Sequence, residues 1–563
     1  MVRVMLKEGM TGVMTSTRLF LIAAAVSSLL WLYSVQTTTI DRIELTSVPI
    51  VSMYRMMPMT FWMGWGFLIL ATCAWYFSTK STQLHFLLGI LWFLFLIMGP
   101  ELMEVNARGG DTLGHMIGVT YYDNGLYKPP WVGYSAFPGF HFLVIPLHKI
   151  TGVGFFDLAK LVALSFHVIR LPVMLFLGTR LFKDPKPALF FTMLLTALFW
   201  EQYQLDPSNQ NLGMTFMLLI LGLLFVDREM TPERRAVVIV LYVGLVVTHP
   251  LSSMVILVLL LFFRLIGMSG KGIGSNALIR DNTLIALFGV MFGAWLMYSS
   301  DWVLPQALDY FKKMVILMDR NTALGTTGSV TTSTGTVTTS FFAALVYSFL
   351  ALLALWGLAI AVRRRFWNHL SLRRVLPLLC IVPLLVSVLT GFWSLNRYYF
   401  LSAPFIAWFF AQEMETRKTL AIVLLIVSLP FGFTLRYYNE PLDYPPSREY
   451  IAAQFVVNEI PSTETVVQGI RYGPDFRSMA NAVKGPERAD FIDVSNATLK
   501  PGQDFRYAMF SAWNRNHTVF YAGEELWDVA NAYFFEVPSN IIYSNGDNRV
   551  HAYEDRRPKG DGH

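Results

Sequence analysis

Charge is scarce in this chain. Only 15% of its 563 residues are Asp, Glu, Lys or Arg, against about 25% in a soluble domain. That shortage excludes an ordinary cytosolic enzyme, a disordered protein and a nucleic-acid binder. Cysteine is scarcer still: Cys73 and Cys380 each sit in an apolar run, so neither a disulfide framework nor a thiolate metal site is supported. Also missing are the Gly-rich loop ending in Gly-Lys-Ser/Thr, the dinucleotide fingerprint, H-E-x-x-H and G-x-S-x-G. No soluble-nucleotide site is therefore written in the chain, and its cytoplasmic loops are too short to hold one.

Apolar runs fill the space. Hydrophobic residues make up 54% of the chain and aromatics 15%, and the mean hydropathy is +0.47. A hydrocarbon core about 30 Å thick needs roughly 20 helical residues to cross. About thirteen runs approach that length, near 17–35, 59–79, 83–100, 160–181, 187–201, 211–226, 236–248, 250–267, 282–300, 341–362, 375–393, 398–411 and 419–435. The first is long and has no small-residue cleavage site, so it reads as a retained helix and not a signal peptide. The fold class expected is an all-α polytopic membrane protein.

Lys and Arg set the orientation, because they concentrate on the cytoplasmic side. With the N-terminus inside, the inner loops hold twenty and the longer outer loops ten. Thirteen crossings then place residues 436–563 outside. This requires the apolar stretch Phe140–Pro146 to be re-entrant or to lie along the membrane. The expected organisation is a transmembrane domain over 1–435, carrying an external loop at 101–159 and another at 301–340. A small C-terminal α/β extracytoplasmic domain over 436–563 follows. In it Ser447–Val457 reads as an amphipathic helix and Thr465–Val467, Thr518–Tyr521, Ile541–Tyr543 and Val550–Tyr553 as strands. Its two glycosylation tripeptides, at Asn496 and Asn516, carry little information. Thr326–Ser340, nearly all Thr, Ser, Gly and Val, predicts a mobile external segment, either a linker or a lid.

On this topology, polar groups gather at the outer membrane level from four segments. They are Asp111, His115 and His141 in the loop 101–159; Glu201, Tyr203, Gln204 and Asp206; His249 at a hairpin tip; and Arg397 and Tyr398 at a helix start. If a helix begins at Asp111, the i, i+4 spacing puts Asp111 and His115 on one face. Gly-Gly-Asp is also a good helix start, so Asp111 reads equally as an N-cap. Tyr121, Tyr122, Trp131 and Tyr134 suit either an interface anchor or a groove lining. His249 either satisfies its own turn or serves a site. Arg397 either anchors a helix end or pairs with a lipid phosphate, which its fork suits. His167 and Arg170 lie within a span, where a charged group is a functional hypothesis by default, with no role yet assigned.

The order of these pieces resembles the GT-C superfamily of integral-membrane glycosyltransferases, in a prokaryotic, archaeal-type branch. The matching pieces are Asp111 with His115, then Phe137-Pro138-Gly139-Phe140-His141. Tyr203, Gln204, Pro207 and Gln210 follow, then Thr248-His249-Pro250-Leu251-Ser252-Ser253 and Arg397-Tyr398-Tyr399. The resemblance spans roughly residues 100–435. It implies transfer of a sugar from a polyprenyl-phosphate or polyprenyl-diphosphate carrier to an acceptor hydroxyl at the outer face, with inversion. It further implies Asp111 as general base with Glu104 in reserve, and Arg397 with His249 or His115 stabilising the departing phosphate. His141, Tyr203, Gln204 and Tyr398 then contact carrier or sugar. The partners implied are the polyprenyl-linked donor, a glycan, lipid or protein acceptor, and membrane lipids. No cofactor is called for, although a divalent metal is compatible. Two extra spans precede the acidic loop, and the tail lacks a Trp-Trp-Asp-type motif, which sets a peptide acceptor in doubt. The alternative is a lipid or glycan transporter or flippase, which favours internal repeats, and none is visible.

Overall fold

The computed structural model describes residues 11–41, 49–78, 82–107, 110–123, 125, 137–198, 208–224, 231–268, 281–298, 355, 359, 395–414, 417–437, 447–461, 464–468, 490–493, 506–511, 539–545 and 548–553. Tyr203 and Gln204, the loop 301–340, Cys380, the strand expected at Thr518–Tyr521 and both glycosylation tripeptides lie outside them. So do the runs 341–362 and 375–393, but for two isolated residues.

Eleven of the apolar runs are helices, and their edges fall within a few residues of the hydropathy boundaries. The N-terminal group is α1 (Thr11–Thr37), the short α2 (Pro49–Met56), α3 (Met59–Ser78) and α4 (Thr82–Phe93). A π-helical turn (Leu94–Met98) joins α4 to α5 (Gly99–Met103). The loop helices α6 (Gly110–Asp123) and α7 (Gly139–Thr151) come next. The central group is α8 (Phe155–Leu181), α9 (Pro185–Leu198), α10 (Asn209–Leu224), α11 (Pro232–Thr248), α12 (Pro250–Met268) and α13 (Asn282–Tyr298). After the gap come α14 (Leu395–Glu413) and α15 (Lys418–Tyr437). Among the described residues, four stretches, Thr17–Thr37, Met59–Phe77, Gln83–Met103 and Asp157–Leu181, are long and apolar enough to cross a membrane. At 1.5 Å per residue, the 13 residues of α7 reach about 20 Å, too little for a crossing.

Helix α9 shows what this composition does inside a bundle. Every residue from Pro187 to Leu198 is buried, because a helix apolar all round can only be a core element. It packs against α4, α8, α14 and α15. Glycines permit the closest approaches: a side chain at Gly178 would meet the Ala188 carbonyl, and one at Gly432 the Ala197 carbonyl. Helix α8 is sided. Leu161, Val168 and Ile169 are exposed while His167 and Arg170 are buried, so the greasy face looks outward and the polar face inward.

The π-helical turn is an anchorage. Two of its carbonyls accept side-chain donors from outside the turn, and three side chains supply them. Trp31 Nε1 donates to the Leu94 carbonyl at 3.0 Å. Arg436 Nη1 and the Tyr437 hydroxyl both donate to the Leu96 carbonyl, at 3.2 and 2.9 Å. Arg436 also donates to the Thr196 carbonyl. The end of α15 is thereby riveted to the π-helical turn and α9 before the chain leaves the bundle.

Beyond α15, α16 (Ser447–Glu459) lies on a five-stranded sheet of order β2-β1-β3-β5-β4. The strands are β1 (Thr465–Gln468), β2 (Asp490–Asp493), β3 (Tyr507–Ser511), β4 (Ser539–Ser544) and β5 (Asn548–Tyr553). β1 is parallel to β2 and β3, whereas β5 is antiparallel to β3 and β4. Ala452, Ala453, Val456 and Ile460 of the helix cover Val466, Met509 and Val550. The strands β2 and β3 were missing from the sequence reading. β3 is buried along most of its length and therefore lacks the alternation that marks a half-exposed strand. The sheet unit is tied to the bundle where Ser447 donates its N–H to Asp41 Oδ1 at 3.1 Å and accepts from Asn106 Nδ2 at 3.2 Å. Ile40 and Glu104, next to those two partners, form a parallel bridge.

Candidate functional site

Three of the sequence-picked histidines meet at one end of the bundle. His115 stands in α6, His141 in the first turn of α7, and His249 at the break between α11 and α12. The rings of His115 and His141 are 6.2 Å apart, centroid to centroid. Phe140 fills the angle at 5.6 Å from His115, and Tyr122 leans on His141 at 5.2 Å. His249 is close enough to α6 to act electrostatically on His115.

Local sequence explains each placement. α6 starts at Gly110, so Asp111 falls in the first helical turn and not at the cap, and His115 follows one turn later. Pro250 opens α12 as a first-turn proline does, forcing an extended backbone on His249 (φ −147°, ψ 104°). Ser252 then fixes the ring: its backbone N–H lies 3.3 Å and its hydroxyl 2.8 Å from Nδ1. A ring nitrogen that accepts the N–H leaves the proton on Nε2, so His249 presents Nε2–H to its surroundings.

Glycines seat these side chains. A Cβ on Gly118 would collide with the His141 ring, one on Gly139 with Thr248, and one on Gly213 with His249. Each of these glycines lies on a helix facing the side chain it admits. Sequence reading passed over all three, although Gly139 belongs to a motif it had singled out.

The first turn of α10, also passed over except for Gln210, is the hub. Ser208 accepts the N–H of Asn211 at 3.3 Å, a serine cap. Asn209 Oδ1 accepts the Phe140 N–H at 3.1 Å, tying α10 to the start of α7 beside His141. Asn211 accepts from Arg170 of α8. A run of Ser-Asn-Gln-Asn opening an apolar helix was the available signal, since amides buried in a bundle need a reason.

The region is buried and under-bonded. Thr112, His115, His141, Asn209 and Asn211 are buried. Among the described residues, Thr112 Oγ1, both ring nitrogens of His141, Asn209 Nδ2 and Gln210 Nε2 have no hydrogen-bond partner. Buried polar atoms are almost always paired, and exceptions concentrate where a ligand or water belongs. Burial pushes the His141 imidazole down to about 3. Burial first, and then the neighbouring His141 and His249, hold His115 well below the ordinary histidine range. Both rings are therefore neutral at pH 7 and able to donate through one nitrogen and accept through the other. Burial also lifts the Tyr122 phenol to about 12. Among the described residues no three His, Cys, Asp or Glu side chains stand where they could hold a metal ion.

The remaining sequence-picked residues are placed by their elements. Glu104 ends α5; it is buried, and its backbone carbonyl accepts from Lys160. Arg397 and Tyr398 lie in the first turn of α14. His167 faces Glu101, with Nε2 and Oε2 3.7 Å apart, a charge-range contact too long for a hydrogen bond.

No protein-family model matches the chain, and no curated protein does. Among solved structures it is similar to ArnT from Cupriavidus metallidurans bound to undecaprenyl phosphate. That similarity is at 12% identity and a TM-score of 0.38, over 84% of this chain and 97% of that one. The apo state of the same ArnT gives 13% identity and a TM-score of 0.37, over 88% of this chain and 98% of that one.

Proposed function

We propose that the protein is a membrane glycosyltransferase that moves a sugar from a polyprenyl-phosphate or polyprenyl-diphosphate carrier to an acceptor hydroxyl at the outer face. The observation that carries this reading is the meeting of His115, His141 and His249, brought from separate helices to one end of an apolar bundle. His115 lies in the same helix as Asp111, which falls in its first turn. Buried polar atoms without partners at the same place supply the donors and acceptors that a sugar requires.

In the proposed chemistry, Asp111 takes the proton of the acceptor hydroxyl as that oxygen attacks the anomeric carbon. The bond to the carrier phosphate breaks on the opposite face, which inverts the configuration. Negative charge grows on the departing phosphate, and preorganised donors there lower the barrier. Nε2–H of His249 and the guanidinium of Arg397 are assigned that part, with His115 beside them. Neutral His141, Tyr203, Gln204 and Tyr398 are assigned to sugar and carrier, and Glu104 is the reserve base. The tail beyond α15 is assigned to the outer side of the cell membrane.

The test is transfer of radiolabelled sugar from a polyprenyl-phosphate donor by the purified full-length protein. Wild type is expected to transfer, and Asp111→Asn to lose on the order of a hundredfold or more, the usual scale for a general base. Donor translocation without transfer by wild type sinks the reading in favour of a flippase. Undiminished transfer by Asp111→Asn removes that residue as base.

A further inference from the structure

Helix α8 carries a polar stripe, buried at His167 and Arg170 and half-buried at Lys160, that the proposed chemistry does not use. Lys160, His167 and Arg170 are spaced seven and three residues apart, which places them on one side of the helix. The other side, with Leu161, Val168 and Ile169, is exposed. His167 and Arg170 are essentially inaccessible, at 0% and 1%. Ionisable groups kept inside a membrane bundle are costly, and a bundle retains them for a task.

The groups in the stripe reach two different arms of the histidine site. Lys160 donates to the carbonyls of Glu104 and Val105, the second at 3.3 Å. His167 faces Glu101. Glu101 lies within α5, and Glu104 and Val105 directly follow it, so both contacts fall on the stretch that precedes α6, the helix of Asp111 and His115. Arg170 instead donates to Asn211 Oδ1. Two residues earlier on the same turn, Asn209 receives the Phe140 N–H beside His141. One arm thus runs from His167 through Glu101 to α6, and the other from Arg170 through Asn211 and Asn209 to α7. The two meet a single helical turn apart on α8.

We propose that His167 and Arg170 are positioning residues: a keystone turn that sets His115 and His141 in register through two separate arms. Neither touches the reacting atoms. The account rests on the transferase reading only for its effect on turnover, and its geometric content stands apart from that reading.

The arms make a selective prediction, read by diethylpyrocarbonate modification of the two histidines in the full-length protein, followed by peptide mass spectrometry. In wild type both rings are buried and react slowly. Arg170→Met and Asn209→Ala are expected to raise the rate at His141 about tenfold by local opening while leaving His115 unchanged. Glu101→Gln and His167→Gln are expected to do the reverse. Arg170→Lys keeps the charge but not the fork and is expected to fall between wild type and Arg170→Met. Equal acceleration at both histidines in every variant reduces the stripe to general stability and overturns the proposal, as does no acceleration at either. Should Arg170→Met fail to accumulate, Arg170→Lys and Asn209→Ala decide the α7 arm. In the transfer assay the same variants are expected to lower kcat with little change in KM for the carrier. If wild type transfers no sugar, the functional reading fails while the labelling pattern still decides the keystone.

Discussion

Two polar clusters in this bundle are built on opposite terms. At the π-helical turn, the donors find acceptors: Trp31, Arg436 and Tyr437 are spent on the carbonyls of Leu94, Leu96 and Thr196. At the histidine site, His141, Asn209, Gln210 and Thr112 keep buried atoms without partners. A donor matched to an orphan carbonyl holds helices together, and its loss is felt by the fold. A polar atom left open in a dry place contributes nothing to folding and costs stability, so its loss is felt by the ligand. Satisfaction, more than polarity or burial, separates anchorage from site.

The largest expected effect tests that contrast directly. Arg436→Met takes its donor from the Thr196 carbonyl and leaves the Leu96 carbonyl with Tyr437 alone, at about 1–3 kcal/mol for the group left unsatisfied. It should lower the thermal unfolding midpoint more than any substitution in the histidine site. His141→Leu strands no partner and is expected to hold the midpoint near wild type while transfer collapses. The reverse ranking in thermal unfolding would erase the distinction drawn here.

Next in size are the glycine seats. Gly139→Ala and Gly118→Ala force side chains into Thr248 and His141 and are expected to cost about 1–3 kcal/mol, as overpacking does. Gly66→Ala meets nothing within 4 Å and serves as the silent control. Equal midpoints for all three variants would show that the seats are loose.

A pH series sharpens the comparison further. The folded His141 titrates at about 3, below the ordinary value of roughly 6.5, so the opened chain binds more protons between those limits. Stability at α6–α7 is then complete above about 6.5 and is lost as pH falls toward 3. His141→Leu should flatten that slope in melts recorded between neutral and acidic pH, and a slope of opposite sign would contradict a buried neutral ring. Smallest of all is Lys149→Ala. Its pair with Asp123 at 2.8 Å joins the ends of α7 and α6, with the lysine 59% exposed, and such pairs are worth about 0–1 kcal/mol.

Much of the bundle was legible in advance because a membrane-spanning helix needs no tertiary partner to be recognised. The edges of α3, α8 and α15 follow from run length alone. The candidate site was legible only by chemistry. Histidines 115, 141 and 249 stood out as rare polar residues, yet Asn209 and Asn211 passed without remark. Gly118 and Gly213 did as well. Their importance depends on what faces them across a helix packing, which no local pattern records. In the sheet, β3 was invisible for the same reason: a strand buried on both faces loses its period of two.

The sequence by itself determined that this chain is a helical bundle of membrane-spanning character, because transfer of apolar length into hydrocarbon is additive along the chain. Only the tertiary structure decided which polar groups are satisfied. A hydrogen bond is a relation between two atoms, and the partners here come from segments as far apart as Leu96 and Arg436.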